Sequence, residues 1–122
     1  MKKLFALGLG IIFLAAGCNK PAPIVGKVFS GSTEIDITGT GFSPSTITVK
    51  SGTQVIFKNS DTNLHRPASN PHPTHTDLPG FDALHDLASG ETYSFTFSKV
   101  GTWGFHDHLN PLTYHGSIVV VP

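Results

Sequence analysis

The chain has 122 residues, enough for one domain, and its eight acidic side chains balance eight basic ones. Charged residues make up only 13%, which excludes a broad basic face for nucleic acid and a long acidic tail. With 13 Gly, 9 Pro and a single Cys, the composition fits a turn-rich domain with no internal disulfide, no thiolate zinc cluster and no Cys-x-x-Cys redox pair.

Lys2 and Lys3 precede an apolar run of 13 residues, 4–16, which is the length of a signal-peptide core and short for a membrane span. The run ends in Leu14-Ala15-Ala16-Gly17-Cys18, which resembles the bacterial lipobox, with Ala15 where Leu is commoner. In such signals the Cys becomes the lipidated first residue of the mature chain. The expected organisation is therefore a lipoprotein signal over residues 1–17, a short tether over 18–23 (Cys-Asn-Lys-Pro-Ala-Pro) and one domain over 24–122. Lipidation would fall on Cys18 and anchor an exported protein to a membrane of the cell envelope, in the periplasm or at the cell surface.

Period-2 alternation dominates the rest of the chain, and helical periodicity is nearly absent. Strands are expected over residues 24–29, 34–38, 46–50, 54–58, 93–98, 102–107 and 117–121, separated by Gly, Pro, Ser and Asn turns. Seven short strands of this kind predict an all-β, antiparallel Greek-key sandwich or barrel. Its expected core is Ile35, Ile37, Ile47, Val49, Val55, Phe57, Tyr93, Phe95, Phe97, Trp103, Phe105, Ile118 and Val120. Residues 59–90 interrupt the rhythm with Pro67, Pro71, Pro73 and Pro79, and hold four of the seven His. A loop this long in a compact domain is usually functional or disordered. One or two helical turns are expected over 82–89, capped by Asp82 and stopped by Gly90. Leu78-Pro79-Gly80-Phe81 reads as a turn that tucks Phe81 over the end of the sandwich.

All seven His lie between His65 and His115. His106-Asp107-His108 ends an expected strand, where residues i and i+2 share a face with Cβ atoms roughly 6–7 Å apart. Two imidazoles so placed converge on one ion at ~2.0–2.1 Å. His65 follows another strand, His72 and His75 sit in the proline-stiffened loop, His115 precedes the last strand and His85 lies on the expected helical turn. Without a usable thiol, an imidazole site suits copper, with zinc as the alternative.

The run Phe42-Ser43-Pro44-Ser45-Thr46-Ile47-Thr48-Val49-Lys50-Ser51-Gly52-Thr53-Gln54-Val55-Ile56-Phe57-Lys58-Asn59-Ser60-Asp61, followed by His65, resembles the N-terminal half of cupredoxins. Gly90-Glu91-Thr92-Tyr93-Ser94-Phe95-Thr96-Phe97, Gly101-Thr102-Trp103 and Gly116-Ser117-Ile118-Val119-Val120-Val121 continue the resemblance. It implies a Greek-key sandwich of plastocyanin or azurin type that binds copper at one end, with His65 as the first His ligand. The chain departs from the blue-copper pattern: Asp107 stands at the Cys position, Asn110 at the following His, and the only Met is Met1. The strand Gly101-Thr102-Trp103-Gly104-Phe105-His106-Asp107-His108 is similar instead to one in multicopper oxidases, whose two His bind a copper cluster between two domains.

Parity sets a constraint. Asp107 shares a strand face with Trp103 and Phe105, whereas His106 and His108 face the other way. A site joining His65 to His106 and His108 then needs a curled strand end or a His-rich loop folded over the outer face. Alternatively, the outer pair meets a second copy of the chain. The expected metal ligands are His65, His106 and His108, with His72, His75 and His115 as a second tier. Asp107, Asn63 and Asp82 are candidates to orient the imidazoles. The expected function is copper binding, storage or delivery, with copper ion as ligand and a redox or copper-trafficking protein as partner. The alternatives are electron transfer through an atypical copper site and a metal-free structural module. Enzymatic activity is left open: Glu34 and Glu91 are the only glutamates, and no nucleophile–base arrangement is evident.

Overall fold

The computed structural model describes residues 26–122. The signal run, Cys18, the tether and the first two residues of the first expected strand lie outside the described residues. Nine strands follow: β1 (Val28–Phe29), β2 (Ser32–Thr38), β3 (Gly41–Ser43), β4 (Thr46–Lys50), β5 (Thr53–Asn59), β6 (Pro67–Ser69), β7 (Thr92–Phe97), β8 (Gly101–Asp107) and β9 (His115–Val121). Two sheets form the sandwich, one in the order β1-β4-β9-β8-β6 and the other β3-β2-β5-β7. The expectation of purely antiparallel pairing does not hold, because β1–β4, β2–β5 and β4–β9 are parallel. Between the two strands of each such pair the chain passes through the other sheet, which alternation along a single strand does not reveal.

The inner faces carry the apolar residues of each alternating strand. Ile35, Ile37, Val49, Val55, Phe57, Phe97, Phe105 and Ile118 are buried between the sheets, with Ile47 and Val120 beside them. Tyr93, Phe95 and Trp103 are only partly covered and pack against the rim of this cluster. Their places are taken by Phe42, Leu78, Phe81, Leu87 and Tyr114. Phe81 is fully buried and stacks on Phe57 with ring centroids 5.5 Å apart. Burying one such ring contributes ~1.5–3 kcal/mol, so the long loop is fastened into the core.

Residues 59–90 are more ordered than their composition suggests. Pro67 opens the edge strand β6, which pairs antiparallel with β8; the first residue of an edge strand tolerates a missing N–H. The helical turns expected over 82–89 are absent. Isolated bridges join His65 to Leu87 and Ala68 to Asp82, and the Asp82 carboxylate accepts the Leu84 N–H at 2.8 Å. That local side-chain bond turns the backbone instead of capping a helix. The loop thus leaves β5, runs along the edge of β8 as β6, and returns across the outer face of β8.

Candidate metal centre

Strand β8 carries two chemistries on its two faces. Phe105 and Asp107 point inward, and His106 points outward. His106 is only 1% exposed because the loop after β6 covers it. The cover is stitched in place: the Asn70 N–H donates to the Gly104 carbonyl at 3.0 Å, and the His108 N–H to the Arg66 carbonyl at 2.8 Å. Gly104 makes room for the Asn70 side chain, since a Cβ there would stand 2.5 Å from Asn70 Nδ2 and displace that amide. Beyond Asn70 a tight turn, closed by the His75 N–H on the Pro71 carbonyl at 2.8 Å, brings His72 and His75 over the strand. His75 sits at φ 54°, a left-handed conformation uncommon for residues other than Gly, Asn and Asp and frequent where a side chain must be aimed.

Four rings therefore converge: His72, His75, His106 and His108 each offer one nitrogen, all within 4.8 Å of one another. Among the described residues this is the one group of three or more metal-type side chains so arranged. Ring centroids are 4.8 Å apart for His72 and His108, 5.0 Å for His75 and His106, and 5.2 Å for His72 and His106. The His108 Nδ1 and His75 Nε2 atoms are 3.1 Å apart. Two nitrogens at that separation, each bonded at ~2.0–2.1 Å, subtend roughly 100° at one ion.

The back sides of these rings are held. His106 Nδ1 donates to Asn70 Oδ1 at 2.9 Å, which leaves Nε2 as the free lone pair. That Nε2 is buried and has no hydrogen-bond partner. A buried polar atom without a partner is costly, and here a cation would satisfy it. His75 Nδ1 donates to Asp82 Oδ2 at 2.7 Å, and Asp82 Oδ1 in turn accepts from Arg66 Nε at 3.3 Å. A carboxylate behind an imidazole fixes its tautomer and raises its basicity toward metal. Burial, then the neighbouring imidazoles, push the His106 pKa down to about 4. Burial, followed by the Arg66 charge and the other rings, also lowers that of His108. Both stay neutral, as ligands must be. Burial pushes the Asp82 pKa up, but the Leu84 N–H, His75 and Arg66 together bring it below the ordinary carboxylate value.

His65 lies apart from this cluster. Its Nδ1 bonds Asp107 Oδ2 at 2.7 Å and its Nε2 bonds Asp61 Oδ2 at 2.9 Å, so both ring nitrogens are occupied by carboxylates. Asp107, fully buried, also accepts from Asn110 Nδ2 at 2.7 Å, the Arg66 N–H at 2.7 Å and the Leu109 N–H at 3.1 Å. Burial pushes its pKa up, yet Asn110, His65 and the two backbone donors more than reverse this. The three positions that match blue-copper ligands, His65, Asp107 and Asn110, thus form a closed polar knot on the inner side of β8. The expected grouping of His65 with His106 and His108 is not what the structure brings together. The outer pair meets His72 and His75 by loop closure within one chain.

The remaining candidates fall elsewhere. His115 pairs with His106 across β8 and β9 but is exposed and outside the cluster. Asn63 donates to Asp61 at 3.3 Å, on the His65 side. His85 Nδ1 donates to the Ala83 carbonyl at 2.9 Å. Sequence reasoning missed Asn70. Its signal was Gly104, since a glycine inside a strand marks a close approach by another segment.

Fold and cluster together define an all-β sandwich with a sulfur-free imidazole site on one sheet. The chain belongs to the cupredoxin-like domain family, whose model matches residues 8–120. Among solved structures it is similar to a purple cupredoxin from Nitrosopumilus maritimus, with 21% identity, a TM-score of 0.64, and coverage of 73% of this chain and 99% of that one. A Cu(I) form of a mutant amicyanin is similar at 25% identity and a TM-score of 0.62, covering 75% and 83% of the two chains. A copper-containing nitrite reductase from Thermus scotoductus SA-01 matches at 24% identity and a TM-score of 0.62 over 75% of this chain, which spans 22% of that longer protein. No curated protein sequence matches the chain.

Proposed function

We propose that this protein is a copper-binding, cupredoxin-like lipoprotein of the cell envelope that holds Cu(II) through His72, His75, His106 and His108. The observation that carries this reading is the buried, partnerless Nε2 of His106, aimed among three other imidazoles. Four neutral nitrogens suit Cu(II), which stands above zinc in affinity for such donors. The amicyanin relative is a copper protein by its description. Because Asp107 occupies the position of the blue-copper thiolate, the reading favours binding, storage or delivery of copper as cargo over rapid electron transfer. The lipobox-like Leu14-Ala15-Ala16-Gly17-Cys18 supports export and a lipid anchor on Cys18.

Paramagnetic resonance and metal analysis of the mature domain test this. One Cu(II) per chain with a tetragonal, nitrogen-rich spectrum and no intense visible band is expected. No uptake at neutral pH, or equal uptake by a His106→Ala, His108→Ala double variant, overturns it.

A further inference from the structure

The four rings are not held alike. His75 is fastened by Asp82 and His106 by Asn70, while His108 extends from the end of β8 with its Nδ1 against His75. His72 is exposed and, among the described residues, makes no side-chain hydrogen bond. It lies between Pro71 and Pro73, so its backbone is restricted while its ring retains rotamer freedom. The ligand atoms spread to 4.8 Å, whereas two nitrogens on one ion stand at most ~4.2 Å apart. The four rings must therefore draw together by about half an ångström or more, and His72, exposed and without a side-chain hydrogen bond, is the least restrained of them.

Resting on the copper reading above, we infer that His72 is the exchange ligand, the position at which copper enters and leaves. His75 and His106, each held from behind, and the half-buried His108 form the remaining three-nitrogen cradle. An incoming neutral nitrogen donor, of the kind an imidazole on an acceptor protein presents, takes the position of His72. One metal–nitrogen bond breaks and one forms, and neither the oxidation state nor the number of bound protons changes. The solvent-facing ring is the one an acceptor reaches first, and the buried His106 is the last to let go.

The test uses the mature protein loaded with Cu(II), comparing His72→Ala with His75→Ala and His106→Ala. His72→Ala is expected to retain one Cu(II) per chain, release it to excess EDTA at least about tenfold faster than wild type, and regain a wild-type-like resonance spectrum on adding free imidazole. His75→Ala and His106→Ala are expected to lose tight binding without imidazole rescue. His72 lies on an exposed turn, so its substitution leaves the fold intact, as circular dichroism would show. If His72→Ala releases copper at the wild-type rate, or loses it as completely as His106→Ala, the exchange role is overturned while the copper reading stands. Failure of wild type to bind Cu(II) overturns both.

Discussion

Asn70 Oδ1 accepts a hydrogen bond from His106 Nδ1 at 2.9 Å, and this contact selects the nitrogen that His106 presents to the cluster. With the proton held on Nδ1, the lone pair lies on the buried Nε2. Replacing Asn70 by Ala should lower Cu(II) affinity about 10–100-fold, as loss of a ligand-orienting partner does. A competition titration against a chelator of known affinity would measure it, and an unchanged affinity would remove Asn70 from the site.

Gly104 should prove as demanding as a ligand. A methyl at Gly104 meets Asn70 Nδ2 at 2.5 Å, so Gly104→Ala displaces the amide that orients His106. The expected outcome is a folded protein with weakened copper binding and a modest stability loss of about 1–3 kcal/mol. Chemical denaturation of the metal-free form, beside the same chelator titration, would separate the two effects.

Asp82→Asn keeps the shape behind His75 but removes the charge that supports it at 2.7 Å. Copper affinity should fall by about one order of magnitude or more. The copper-induced rise in Tm should shrink accordingly, since ligand linkage scales with affinity.

The knot on the inner side of β8 predicts the opposite pattern. Asp107→Ala leaves His65, Asn110 and two backbone N–H groups without their buried acceptor. Breaking such a site should cost roughly 3–5 kcal/mol of stability. The folded fraction should still bind one Cu(II), because the metal cluster lies on the other face of the strand. Loss of binding in folded Asp107→Ala would show that the two sites are one.

The metal-free protein should lose stability in two acid steps. His106 is neutral down to about 4 when folded, whereas an unfolded His takes up a proton near ~6.5. Between those values the unfolded chain binds more protons, so stability declines as pH falls, by on the order of a few kcal/mol. Below that window the lowered carboxylates, Asp107 among them, add a second decline as pH falls through their folded pKa. Thermal melts from pH 7 to pH 3 would trace both. Bound Cu(II) should remove the first step until the metal itself is released.

Much of this fold was legible in the residues. Alternation placed β4 at the residues observed and β2, β5, β7, β8 and β9 within two of theirs, because one buried face per strand writes a period of two into the sequence. The same parity set Asp107 apart from His106 and His108. Two strands escaped, the three-residue β3 and β6, and one expected helix is absent. The short strand β6 lacks alternation and carries Pro67, and its pairing is stabilised by β8 rather than by its own side chains. The apparent helix over 82–89 was a misreading of Asp82, whose carboxylate bonds Leu84 and His75 and so is committed elsewhere.

By itself, the sequence pointed to imidazoles for a transition-metal site, since its one Cys and one Met, Cys18 and Met1, stand far along the chain from the seven His. It also determined that the His106–His108 pair would stand on one face of a strand. Which rings join that pair was decided only in three dimensions. Along the chain His65 reads as the stronger partner, but the return path of residues 70–77 across the outer face of β8, set by long-range hydrogen bonds and the bare surface of Gly104, brings His72 and His75 there instead. Such contacts depend on segments far apart in sequence, and no local pattern encodes them.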